Sequence, residues 1–69
     1  MNRYSMVIYW SEADDCFLGE CPELPGCMAD GTTSIEAAQN LDAAILLWLE
    51  TADMLGRDIP EPNRIREIA

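Results

Sequence analysis

Residues 22–36, PELPGCMADGTTSIE, contain the change of period that decides the fold. Two prolines and a glycine within five residues exclude a helix, because proline lacks an amide donor and its ring clashes with the preceding turn. Pro25-Gly26 predicts a type II turn, with φ preset at the proline and the positive φ taken by the glycine. Cys27 to Asp30 then read as a short strand that Gly31 closes. Thr33-Ser34-Ile35-Glu36 has the form of a capping box, in which the threonine hydroxyl accepts from the amide three residues on and the glutamate reaches back to the threonine amide. A helix starts there.

Downstream, strong helix formers continue to Leu55, and Gly56 suits the left-handed position that ends a helix. Ala38, Leu41, Ile45, Trp48, Leu49, Ala52 and Leu55 recur at three- and four-residue spacing, a stripe able to cover a sheet. Ala43, Leu47 and Met54 fall on roughly the opposite side, among Glu36, Glu50 and Thr51. Scattered apolar surface residues are ordinary, but three in a row on so small a chain mark a candidate second contact surface.

Upstream, Tyr4 to Trp10 alternates, with Tyr4, Met6, Ile8 and Trp10 on one face and Ser5, Val7 and Tyr9 on the other. Both faces carry bulk, so the second is expected to be covered in part by another subunit, and Trp10 joins Leu47 and Met54 as candidate oligomer contacts. Ser11 to Asp15 is a polar connection of hairpin length, and Cys16 to Cys21 resumes an extended pattern that pairs antiparallel with the first. After Gly56, Pro60 and Pro62 bar a helix and favour a short edge strand. Arg64 to Ala69 is left as one helical turn or a frayed end. Residues 1–69 thus read as one α+β domain: an antiparallel sheet of three to four strands, order β-β-β-α-β, with one helix packed on one face.

A chain of 69 residues buries only about 60% of the surface that its unfolded form exposes. Its own core is thin, and domains of this size need a disulfide set, a metal or a partner subunit. Three cysteines, Cys16, Cys21 and Cys27, are an odd number, and Met1 runs straight into a strand-like pattern without a secretory leader. The longest apolar run, Ala43 to Leu49, is far short of the ~18 residues of a membrane span. These features predict a cytoplasmic protein with reduced thiols and no membrane contact. Thirteen Asp and Glu against four Lys and Arg give a formal charge of -9. Such a surface repels phosphate backbones, which argues against direct nucleic-acid binding, and it steers the chain toward a basic partner.

The chain has no histidine. A serine or cysteine nucleophile would therefore lack its usual base, and the imidazole ligands of zinc and copper are absent. Cys16, Cys21 and Cys27 match no familiar zinc-knuckle spacing, and free cysteine is more often a small buried hydrophobe. Asp14 and Asp15, with Glu12, Glu20, Glu23 and Asp30 nearby in sequence, raise a magnesium-dependent nuclease as one alternative. Adjacent acids in a hairpin connection are ordinarily turn residues that bond local amides. The expectation is no enzyme, no metal and no cofactor.

The run Asp15-Cys16-Phe17, Glu20-Cys21-Pro22-Glu23-Leu24-Pro25-Gly26-Cys27 and Asp30-Gly31-Thr32-Thr33 resembles the HicB-like antitoxin domain. Glu36-Ala37, Asn40-Leu41, Ala44-Ile45 and Trp48 in the helix extend the likeness, as does Ile59-Pro60-Glu61-Pro62. It covers Tyr4 to about Pro62, and its most specific part is P-x-L-P-G-C followed by G-T-T-x-x-E-A. The resemblance implies a partial ribonuclease H-like fold without catalytic residues. It also implies a partner of HicA type, a small basic mRNA-cleaving toxin whose active histidine the antitoxin blocks, and assembly into homodimers or tetramers. Fuller members resemble this domain followed by a DNA-binding segment, which is not expected in this chain. Asp14, Asp15, Glu20 and Glu23 are the candidate toxin-facing residues, chosen by charge complementarity. A second possibility is an orphan homo-oligomeric module of the same family.

Overall fold

A computed structural model describes residues 3–62. Three strands, β1 (Val7–Ser11), β2 (Cys16–Glu20) and β3 (Met28–Gly31), precede one helix, α1 (Ser34–Met54). The sheet is antiparallel in the order β1-β2-β3, with Tyr9 opposite Leu18 and Gly19 opposite Ala29. The α+β reading holds, with three strands and one helix among the described residues. The expected edge strand does not form: residues 57–62 take no regular structure, and the Pro60 carbonyl instead accepts the Tyr4 hydroxyl at 2.6 Å. The readings for residues 64–69 lie outside the described residues.

The first strand begins at Val7 rather than Tyr4, because the backbone of Ser5 is bonded elsewhere. Its amide donates to both carboxylate oxygens of Glu23, at 3.3 and 3.1 Å, and its hydroxyl donates to Oε2 at 3.0 Å. Ser11 ends β1 by accepting from the Asp14 amide at 3.2 Å and donating to its carboxylate at 3.1 Å. Asp15 then takes φ 52°, a left-handed turn that a short polar side chain tolerates better than most.

The segment between β2 and β3 is compact. The Cys21 amide donates to the Cys27 carbonyl at 3.1 Å, Leu24 to Cys21 at 3.2 Å, and Cys27 to Leu24 at 3.1 Å. With Gly26 at φ 76°, this is the type II turn that Pro25-Gly26 predicts. The turn tucks Leu24 inward, and Cys21, Leu24, Cys27, Leu41 and Ile45 make the buried core. The cysteines are small core hydrophobes with free thiols. The Trp48 indole donates to the Pro25 carbonyl at 3.0 Å, fastening the helix to the turn.

Thr33 caps α1, its hydroxyl accepting from the Glu36 amide at 3.0 Å. Glu36 reaches one residue further back than a capping box requires and accepts from the Thr32 amide at 2.9 Å. At the other end Gly56, at φ 68°, donates to Asp53 and Arg57 donates to Ala52, the two bonds of a Schellman motif. The expected stripe needs correction at two positions. Ala37 is fully buried although the stripe omits it, and Leu55 is 60% exposed because it lies beyond the last helical turn, as the C-cap.

Ala37 is buried because α1 starts almost in backbone contact with β3. A Cβ added to Gly31 would lie 2.5 Å from the Ala37 amide nitrogen. Gly31→Ala is therefore expected to destabilise the fold by about 1–3 kcal/mol, read as a lower melting temperature. Gly19→Ala, whose added methyl meets only the side chains of Ile8 and Leu41 at 3.0 to 3.3 Å, should cost less. Burial pushes the thiols of Cys21 and Cys27 up, so the unfolded chain ionises first as pH rises. Stability should fall as pH climbs through the ordinary thiol range near about 8.5. Denaturant titration across that range tests this, and Cys27→Ala should flatten the fall.

Candidate functional site

Alternation along the paired strands assigns each face. Ile8, Phe17, Gly19 and Ala29 share the face that α1 covers, as the approach of Leu41 and Ile8 to Gly19 shows. Val7, Tyr9, Leu18, Glu20, Met28 and Asp30 share the other. No described element packs over that outer face, and Val7, Tyr9 and Met28 remain 46, 38 and 50% exposed. It is an exposed apolar patch bearing carboxylates.

The four acids singled out in the sequence divide into two groups. The Tyr9 hydroxyl is hydrogen-bonded to the Glu20 carboxylate, which raises its pKa, and nearby Asp14 adds to the effect. Burial raises the Cys16 thiol, and Asp30, Asp14 and Asp15 raise it further. Asp14, Asp15 and Glu20, joined by Asp30, thus set one negative field over Tyr9 and Cys16. Glu23 stands apart. It is half-buried, binds Ser5, accepts the Cys21 thiol at 3.8 Å and ties the segment before β1 to the core. Among the described residues no three Cys, Asp or Glu side chains converge to hold a metal ion, so the acids weighed for magnesium chemistry do not assemble into such a cluster.

Trp10, Leu47 and Met54 lie in three different places. Trp10 shares the helix-covered face but is 45% exposed, at the end of β1, where its ring meets Phe17 edge-on at 5.1 Å. Met54 is 85% exposed at the end of the helix. Leu47, 65% exposed, lines a groove of about 270 Å³ with Met28, Ala44, Trp48 and Arg57. Leu46, 55% exposed, escaped the sequence reading because it sits between the core stripe and the opposite ridge. No described helix is long and apolar enough to cross a membrane.

Comparison with known proteins adds the following. Residues 4–69 match the family model described as HicB-like antitoxin of bacterial toxin-antitoxin system. The chain is 40% identical to UPF0150 protein ssl0259 of Synechocystis sp. over 58 residues, covering 84% of this chain and 78% of that one. It is 33% identical to UPF0150 protein Ta0767 of Thermoplasma acidophilum, covering 88% and 87%. UPF0150 protein ssr1765 of Synechocystis sp. is 34% identical, covering 86% and 75%. No solved structure matches.

The acceptor and the charge of Glu20 both favour the protonated phenol of Tyr9, so its titration midpoint should lie above the ordinary value of about 10. Glu20→Gln is expected to move the midpoint down. Phenolate absorbance, followed in a Tyr4→Phe background so that one phenol is read, checks the direction.

Proposed function

Because the chain belongs to the HicB-like antitoxin family of bacterial toxin–antitoxin systems, we propose that it is a non-catalytic antitoxin that binds and neutralises a small basic toxin of HicA type. The observation that carries this reading is the uncovered outer face of the sheet, where exposed Val7, Tyr9 and Met28 lie among Glu20, Asp30 and the hairpin acids. A cationic protein is attracted to that field before contact, and apolar groups at its centre then supply area that desolvates on docking. Within this proposal Asp14, Asp15 and Glu20 face the toxin. Glu23 acts indirectly, by holding the segment that leads into β1.

The net charge of -9 supports a partner that is protein rather than nucleic acid, since phosphate would be repelled over the same face. Three free thiols fit the reducing cytoplasm. An orphan homo-oligomeric module remains the competing reading, favoured by the acid-free groove beside Leu47, a surface with no need of a cationic partner.

Co-expression with a basic, mRNA-cleaving toxin of the HicA type tests the proposal. The wild-type chain should relieve growth arrest and co-purify with the toxin. The pair Tyr9→Ala and Glu20→Lys should slow association at least about tenfold at low salt and abolish rescue, whereas Asp53→Lys on the helix should leave both intact. A wild-type chain that neither binds nor rescues would sink the reading.

A further inference from the structure

The two buried cysteines face each other across the neck of the turn between β2 and β3. Extended by two residues, the register that sets Gly19 opposite Ala29 sets Cys21 opposite Cys27, and the bond from the Cys21 amide to the Cys27 carbonyl at 3.1 Å agrees with that pairing. Alternation puts both on the face that α1 covers, and both belong to the buried core. Residues that exchange bonds in an antiparallel pair have Cα atoms about 5.5 Å apart, inside the range of roughly 4.4 to 6.8 Å that a disulfide spans. Facing Cβ atoms are about 4.5 to 5.5 Å apart, slightly wider than the roughly 3.5 to 4.5 Å of a disulfide. The neck has room to close that gap, because the Cys27 amide donates to the Leu24 carbonyl instead of back to Cys21.

Both cysteines also border one cavity of about 270 Å³, together with Val7, Glu20, Pro22 and Met28, ample for a molecule little larger than water. Cys21 is the thiol better prepared to attack. Burial raises its pKa, but hydrogen bonds from the backbone of Leu24 and Glu23 to its sulfur act in the opposite direction, whereas Cys27 is raised by burial with no such support. Cys16 is no competitor for the pair, since it lies at the other end of β2, about 16 Å away along the strand.

We propose that Cys21 and Cys27 are a modification site, a thiol pair that hydrogen peroxide closes to an intramolecular disulfide. The Cys21 thiolate attacks one peroxide oxygen: an S–O bond forms, the O–O bond breaks, and the leaving hydroxide takes up a proton to become water. The Cys27 thiolate then attacks the sulfur of that sulfenic acid, so that an S–S bond forms, the S–O bond breaks and the second oxygen leaves as water. Two thiols thus give up two electrons and two protons, and the peroxide is reduced to two waters. The product staples the neck of the turn and takes from Glu23 the thiol that donates to it at 3.8 Å, leaving that carboxylate to Ser5. A small dithiol reverses the step by exchange. Because burial keeps both thiols protonated, closure is slow at neutral pH and quickens as pH rises, the behaviour of a staple set by sustained oxidant rather than of a rapid sensor. The proposal does not depend on the toxin reading.

Peroxide treatment of the folded full chain, followed by denaturation, alkylation and mass spectrometry, tests it. The oxidised chain should lose two hydrogens and take one alkyl group, on Cys16, and dithiothreitol should restore all three alkylation sites. Its melting temperature should rise, because the cross-link constrains the unfolded chain, and its stability should fall less as pH passes through the thiol range. Cys16→Ser should still close, whereas Cys21→Ser and Cys27→Ser should not. Should either core variant fold poorly, the closure rate of the wild type decides: it should stay constant in urea below the unfolding transition, since the folded pair is what reacts. Chains linked through Cys16 with Cys21 and Cys27 still open to alkylation, oxidation that stops at a sulfinic acid, or a closure rate that tracks the unfolded population would overturn the proposal.

Discussion

Gly31 lets the start of α1 approach β3 until helix and strand backbones nearly touch, and the placement of every other surface follows from that approach. A helix about 10 Å wide covers about two strands spaced roughly 4.8 Å apart. Held against β3, α1 reaches β2 through Leu41 over Gly19 and covers the end of β1 less, so that Trp10 stays 45% exposed with its ring edge-on to Phe17. The Trp48 bond to Pro25 and the Asn40 bond to Asp30 fix the helix at two further points. A single helix anchored in this way cannot serve the outer face at all, and the apolar side chains there stay exposed for geometric reasons rather than through any failure of patterning.

Charge also distinguishes the two exposed regions. The hairpin places Asp14 and Asp15 at one end of the outer face and β2 places Glu20 at the other, with Tyr9 between Glu20 and Asp14. The helix turns its own acids away from the β3 edge, so the groove there is neutral apart from Arg57. The outer face is acidic, whereas no acid lines the groove. Neither property follows from net charge alone, because both depend on the strand register and on the helical phase.

Much of this was legible in the sequence. The turn at Pro25-Gly26, the Thr33 cap and the Gly56 stop are local signals, each set by one or two residues with restricted backbone angles or a side chain that bonds nearby, and all three hold. The readings that needed correction depend on contacts far apart in the chain. Tyr4 looked like strand because it alternates correctly, but Glu23, eighteen residues beyond Ser5, takes the Ser5 amide out of the ladder. Ala37 looked peripheral because a helical wheel cannot know that a glycine lies beneath it. The four acids looked like one group because sequence gives proximity along the chain and not the side of the sheet; alternation would have placed Glu20 outward, but nothing local reveals that Glu23 folds back on Ser5. Leu47 and Met54 lie on one ridge in projection, yet of the two only Leu47 lines the groove beside Met28.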